Sequence, residues 1–315
     1  MRTKIKPLFK WTGSKQRMLK LYRPHFFPHK PPSRFVDLFA GALTMTLWVH
    51  EIYPNCELVV NDANVELIDL YQKLAKHPDQ IIEEWKRHVN AWVSYTNPEI
   101  VTSSRNKKTM PRYVQERRHY YNTLLLSYAN NYSTLAPTVR AGMLLFMLQT
   151  NFNGMWKNYH KYHNRYSTPP GSCQQGASFF DEHNIRQVAG VLQRATIVCG
   201  SYADVDLRPG DFVYADPPYR DSQVNYDVSF TETDQIKLAN RLMSHDGPFA
   251  YSNKKINTTD NFYDIHFSNM SFNEFNGTYT AGASSQKLKV TEVLITREPT
   301  LFGGDMESTS IIALV

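Results

Sequence analysis

Two short apolar runs, each closing on an aspartate and each followed by a helix-forming stretch, constrain the fold of this chain most. RFVDLFAGALTMTLWV (34–49) begins as a strand, turns through Gly41 and continues as a hydrophobic helix. ELVVNDAN (57–64) is the second run, and after it Leu67, Leu70, Tyr71 and Leu74 fall on one helical face. Strand, helix, strand, helix in this register opens a parallel, doubly wound α/β sheet. Strand-like runs return at ATIVCG (195–200), DFVYADPP (211–218), PFAYSN (248–253) and KVTEVLIT (289–296), and TETD (231–234) caps a helix to about 244. Between them the pattern changes. Helices are expected over 113–130, with Tyr121, Leu124, Leu125 and Tyr128 on one face, and over 137–150. FNGMWKNYHKYHNRYSTPPGS (152–172) then brings turn formers, aromatics and bases with little periodicity. The 315 residues suffice for one buried core carrying an insertion, and no internal repeat is visible.

The formal charge of +6 suits a polyanionic partner better than an acidic small molecule. Arg105, Lys107, Lys108, Arg112, Arg117 and Arg118 crowd one window, although such a run also reads as a solvated face. Cys56, Cys173 and Cys199 are sparse and lack CxxC spacing, which argues against a disulfide framework or a zinc site and for a reducing compartment. No apolar leader stands at the N-terminus, and MLLFML (143–148) is too short to span a bilayer. These features read as a soluble cytoplasmic protein.

Three stretches carry chemistry. In DFVYADPPY, Asp216 ends a buried strand, at the edge where open α/β sheets bind ligands. Pro217 and Pro218 stiffen the chain and remove two N–H donors. The Asp216 carboxylate and the Pro217 carbonyl thus form an acceptor pair beside the Tyr219 ring, a match for an exocyclic amine on a planar base. A rigid turn with a surface tyrosine fits the tetrapeptide equally well. In DLFAGALT, Asp37 precedes a small-residue turn that allows close backbone approach by a nucleoside-type cofactor, without a full GxGxxG. Asp62 ends the next strand and can serve a ribose or a helix N-cap. KWTGSK (10–15) is a polar turn flanked by lysines, suited to a carboxylate or phosphate and equally to no ligand.

FKWTGSKQRML, FVDLFAGALT, VVNDAN and DFVYADPPY, in that order, resemble motifs X, I, II and IV of the DNA adenine-N6 methyltransferases of the Dam type, in the alpha-class arrangement. GSYADV (200–205), YSN (251–253) and VTEVLIT (290–296) extend the likeness over most of 8–297. The resemblance implies a Rossmann-like methyltransferase sheet with an inserted helical and β-hairpin DNA-recognition domain. Residues 1–76 and 190–300 would form the catalytic domain, 77–189 the insertion with its hairpin near 152–170, and 301–315 a tail. It implies S-adenosyl-L-methionine as methyl donor. Trp11 and Lys15 would lie by its methionine part, Asp37, Phe39, Ala40 and Gly41 would line the pocket, Asp62 would hold the ribose and Tyr202 the adenine. Asp216, Pro217, Pro218 and Tyr219 would hold the target base, with Asp216 also bordering the cofactor.

Duplex DNA would be gripped through Arg105, Lys107, Arg112 and Arg117, and read by Trp156, Lys157, Asn158, Tyr159 and Arg165. The recognition site is expected to be GATC or a variant, because Lys157 stands where the family often carries an arginine that reads guanine. His160 and His163 have HxxH spacing but no neighbouring cysteine or acid, so DNA contact or solvent exposure is expected and a metal is not. The expected state on DNA is a monomer or weak dimer, and pairing with a restriction endonuclease is compatible. Rival readings are methylation of cytosine N4, of adenine in RNA or of a glutamine amide, against which the acidic first residue of DPPY speaks. A DNA-binding protein without turnover would not need Lys15, Asp37, Asp62, Asp216 and Tyr219 together.

Overall fold

The structure is a computed structural model that describes residues 4–102, 109–157, 166, 168–220, 230–257, 259–280 and 287–297. In chain order its elements are α1 (Leu19–Phe26), β1 (Arg34–Asp37), α2 (Thr44–Ile52), β2 (Glu57–Asp62), α3 (Val65–Lys76), α4 (Pro78–Ser94), β3 (Ile100–Thr102), β4 (Thr109–Pro111) and α5 (Arg112–Asn130). These are followed by α6 (Pro137–Thr150), α7 (Glu182–Leu192), β5 (Ala195–Cys199), β6 (Phe212–Ala215), α8 (Glu232–Ser244), β7 (Phe249–Lys254), α9 (Phe262–His266), β8 (Ser271–Thr280) and β9 (Lys287–Arg297). Contacts divide the chain into two compact units, 1–14 with 65–194, and 15–64 with 195–315. The division falls after residue 64 rather than 76 because the apolar face of α3 packs on α6 and α7.

The second unit holds a seven-stranded sheet in the order β5-β2-β1-β6-β7-β9-β8. The pairs β2–β5, β1–β2, β1–β6 and β6–β7 are parallel, while β7–β9 and β8–β9 are antiparallel. Strands β1 and β6 are buried at every position, as a parallel strand covered on both faces must be. From β1 the chain moves to β2 and β5 on one side, then returns to β6 and β7 on the other. The reversal lies between β1 and β6, where Asp37 pairs in register with Tyr214, so a crevice opens at the ends of these two strands. The expected capping box is present: the Thr231 side chain accepts from the Asp234 amide, and the Asp234 side chain from the Thr231 amide.

Among the described residues the first unit is largely helical, with β3 and β4 paired antiparallel. Helices α5 and α6 match the expected stretches; Tyr121, Leu124 and Tyr128 are buried and Leu125 half-buried. Helix α4 was not anticipated. It starts with proline at its first position and buries Ile81, Ile82, Trp85, Val89 and Trp92 along one stripe. Residues 151–157 pair with residues 168–170: Asn151 bridges Pro170 antiparallel, the Phe152 amide donates to the Pro169 carbonyl, and the Lys157 amide donates to Thr168 Oγ1. Among the described residues no helix is long and apolar enough to cross a membrane.

Candidate active site

Strand β6 ends at Ala215, so the Asp216 carboxylate is delivered to the mouth of the crevice. Oδ1 accepts from Lys15 Nζ at 2.8 Å and from Ser252 Oγ at 3.0 Å, while Oδ2 takes no hydrogen bond from the described residues. The side chain keeps 16% of its surface exposed, so this second oxygen is reachable. Burial raises the Asp216 pKa, the Lys15 ammonium opposes the shift, and the Glu292 carboxylate adds to it.

Lys15 is the hinge of this cluster. Its side chain is 1% exposed, and Nζ also lies 3.2 Å from the Tyr219 hydroxyl and 3.8 Å from Glu292 Oε2. Glu292, fully buried on β9, accepts a hydrogen bond from the Tyr219 hydroxyl. One ammonium thus serves two carboxylates and fixes the tyrosine ring between them. A second chain of bonds sets the backbone: Asn253 Nδ2 donates to the Tyr251 hydroxyl at 3.0 Å, which donates to Gln235 Oε1 at 3.1 Å, and Gln235 Nε2 donates to the Pro218 carbonyl at 2.7 Å. Asp216, Pro218 and Tyr219 are therefore each held from behind, as a preorganised acceptor site requires.

The strand β1 turn forms the other half of the crevice. Asp37 is buried; Oδ2 accepts from Thr46 Oγ1 at 2.7 Å, and Oδ1 is buried without a hydrogen bond of normal geometry from the described residues. Burial pushes its carboxyl up to about 7, against the Thr46 hydrogen bond. Gly41 adopts φ 46° and donates its amide to Asp62 Oδ2 at 2.9 Å, while Asp62 Oδ1 accepts from the Asn64 amide at 2.9 Å. Asp62 thus ties the turn after β1 to the loop after β2, and its bond to the Asn64 amide lies ahead of α3, short of the N-cap bond that the sequence offered as its alternative role. Burial raises its pKa, against the backbone amides that it accepts from. Asn61 Nδ2 adds bonds to the Leu38 carbonyl at 2.9 Å and the Gly200 carbonyl at 3.2 Å, joining the ends of three strands. Tyr202 and Phe39 have ring centroids 5.6 Å apart at 30°, and Phe230 meets Phe39 at 5.7 Å and Tyr202 at 5.6 Å. Three rings therefore wall one end of the turn.

In the helical unit, Trp11 is half-buried, with its ring 6.0 Å from Phe9. The Asn153–Gly154 turn sits on that segment's backbone: both residues have positive φ, and a Cβ at Gly154 would lie 2.4 Å from the Lys10 carbonyl oxygen. Two expected DNA contacts take other roles. Arg117 is 5% exposed, and its guanidinium donates to the carbonyls of Trp92 (2.8 Å), Cys173 (3.2 Å) and Gln175 (3.1 Å). Phosphate does not reach a group so enclosed, and its charge braces the unit instead. Arg117→Ala is expected to lower unfolding free energy by about 3 kcal/mol in urea titration, leaving the salt dependence of DNA binding unchanged. Trp156 is buried and donates its ring N–H to Glu66 Oε2 at 2.9 Å. Arg112 is exposed but already paired with Glu99 at 2.9 Å and Glu116 at 3.3 Å. Lys157 is half-buried. Arg105, Lys107, Asn158, Tyr159 and Arg165, with His160 and His163, lie outside the described residues.

The sequence reasoning missed Glu292, Ser252, Gln235, Asn61 and Phe230. For Glu292 a signal was available, a lone acid inside the apolar run VTEVLIT.

Comparison with known proteins identifies similar sequences. Type II methyltransferase M1.LlaDCHI of Lactococcus lactis subsp. cremoris is 24% identical over 306 residues, covering 93% of this chain and 95% of that protein. The retron Ec67 DNA adenine methylase of Escherichia coli is 28% identical over 239 residues, 75% of this chain and 71% of the relative. Type II methyltransferase M.MjaIII of Methanocaldococcus jannaschii is 24% identical over 248 residues, 75% and 78% respectively. Residues 11–278 match the family described as D12 class N6 adenine-specific DNA methyltransferase, a span that takes in both aspartate-ended strands, the helical unit and the DPPY turn. The chain therefore belongs to the D12 class N6 adenine-specific DNA methyltransferases.

Proposed function

We propose that the protein transfers a methyl group from S-adenosyl-L-methionine to N6 of an adenine turned out of duplex DNA, with the Asp216–Tyr219 segment holding the base. The supporting observation is the Asp216 carboxylate, with one oxygen fixed by Lys15 and Ser252 and the other open at the sheet's crevice. The donor would supply an electrophilic methyl on a sulfonium and leave as the neutral thioether S-adenosyl-L-homocysteine, while the proton lost from N6 would pass by way of the Asp216 carboxylate to solvent. The chain's own residues do the rest. Asp216 Oδ2 and the Pro217 carbonyl accept from the two N6 hydrogens, which draws the nitrogen lone pair out of the ring and aims it. Tyr219, tethered by its hydroxyl, offers a face for stacking worth about 1–3 kcal/mol, against a cost of roughly a few kcal/mol for extruding the base. The acceptors face the positive charge that develops on nitrogen, and most of the remaining effect is positioning.

The residues present fit the donor. The unsatisfied Asp37 oxygen suits a cationic group, Asp62 retains acceptor capacity for ribose hydroxyls, and the Phe39, Tyr202 and Phe230 rings suit an adenine. A carboxyl raised toward 7 stabilises the unliganded fold below that pH and ceases to do so as pH rises through it. A cation that requires the carboxylate binds in the opposite sense. Donor affinity in calorimetry is therefore expected to tighten several-fold between about pH 6 and about pH 8. Asp37→Asn should remove that component, and an unchanged pH profile in the variant would exclude Asp37 from the cofactor site.

The helical unit is proposed to read the DNA, with GATC or a variant as the site and Lys157 among the readers. Lys157→Ala should then redistribute methylation among sites in sequenced DNA; an unaltered profile removes it from the reading set.

A further inference from the structure

Glu66, on the first turn of α3, serves more than the Trp156 bond already described. It is buried, and three aromatic side chains donate to its one carboxylate: Trp156 Nε1 to Oε2 at 2.9 Å, the Tyr128 hydroxyl to Oε1 at 3.2 Å, and the Tyr166 hydroxyl to Oε1. The rings also pack on each other, Trp156 against Tyr166 at 5.3 Å and Tyr128 against both at 6.0 and 5.7 Å. In the sequence Trp156 and Tyr166 bracket the basic, aromatic residues 157–165, and a single carboxylate accepts from both. Thr168 beside them receives the Lys157 amide at 3.1 Å. Buried carboxylates are costly unless fully bonded, and three donors on one acid fix the orientation of everything attached.

We propose that Glu66 is a positioning residue for sequence recognition: it clamps Trp156 and Tyr166, and so holds in place the adjoining reading residue Lys157, whose amide donates to Thr168. The proposal rests on the enzymatic reading above and on the helical unit as the reader. Glu66 touches no base; its effect passes through the two aromatic ends. Leucine at this position would keep the volume but strand three buried donors, whereas glutamine can still accept from Trp156 and donate to a tyrosine oxygen.

The test measures single-turnover methylation of oligonucleotides carrying the wild-type site, identified by sequencing, and of versions altered at one base. Wild-type turnover is the reference, which separates a failure of the enzymatic reading from a failure of this one. Glu66→Leu is expected to lower the ratio of rates on correct and altered sites at least about tenfold. S-adenosyl-L-methionine affinity should stay within about twofold of wild type. Tyr166→Phe, which keeps the ring and is the milder change to the fold, should lower the ratio about threefold, and Glu66→Gln should restore it to within about threefold of wild type. A ratio unchanged in Glu66→Leu and Tyr166→Phe, or an equal loss of rate on every site, would overturn the proposal.

Discussion

Replacing Asp216 with alanine should reduce methyl transfer by about a thousandfold or more, close to 4 kcal/mol of transition-state stabilisation. The magnitude follows from what is removed. Oδ2 is the acceptor left open toward the crevice, and Oδ1 is the anchor for Lys15 and Ser252. Alanine deletes both, and Lys15 falls back on Glu292, drawing the ammonium away from the site. Asp216→Asn is the more discriminating variant. Its amide either offers an N–H where an acceptor is required, or turns that N–H onto the Lys15 ammonium. About a hundredfold loss is expected, and in both variants DNA affinity should stay near wild type in a filter-binding assay. Full turnover in Asp216→Asn would mean that the substrate amine is bound elsewhere.

The second large effect is expected from Lys15→Met. The methylene stem is retained, but Asp216 and Glu292 both lose the ammonium that lies 2.8 Å from one and 3.8 Å from the other. Removing one partner of an enclosed ion pair costs about 3–5 kcal/mol, and the chain reduces it by taking up a proton. The Asp216 carboxyl, already raised by burial and by Glu292 and held down by Lys15, rises further when Lys15 is gone. A group with a raised folded pKa stays protonated to higher pH, so activity that needs the carboxylate moves to higher pH. The acidic limb of the pH–rate profile is expected to shift upward by at least about one unit, with about a hundredfold loss near pH 7 and partial recovery above it. A uniform loss with the limb unmoved would place Lys15 on the cofactor alone.

The frame of the site could be read from the sequence because it rests on local signals. An apolar strand that stops at an acid, followed by a turn and an amphipathic helix, marks Asp37, Asp62 and Asp216 without knowledge of strand order. Partners distant in the chain carry no such signal. Tyr219 reaches Glu292 across 73 positions and Lys15 reaches Tyr219 across 204, separations that no periodicity reports. Arg117 misled for a related reason: a basic residue in a basic window looks solvated, and only packing shows that Trp92, Cys173 and Gln175 turn their carbonyls onto it. Helix α4 was legible in principle, since Ile81, Ile82, Trp85, Val89 and Trp92 repeat at helical spacing. Edge strand β8, reading SFNEFNGTYT, lacks the apolar run that marks the central strands, and it is defined by its antiparallel pairing with β9.

The most direct test is to express the protein in a bacterial host lacking adenine methylation and to sequence the genomic DNA with detection of modified bases, alongside Asp216→Ala at matched expression. N6-methyladenine confined to one short sequence context, and absent with Asp216→Ala, is the predicted result. Modification on cytosine, or adenine methylation that persists with Asp216→Ala, would contradict the account.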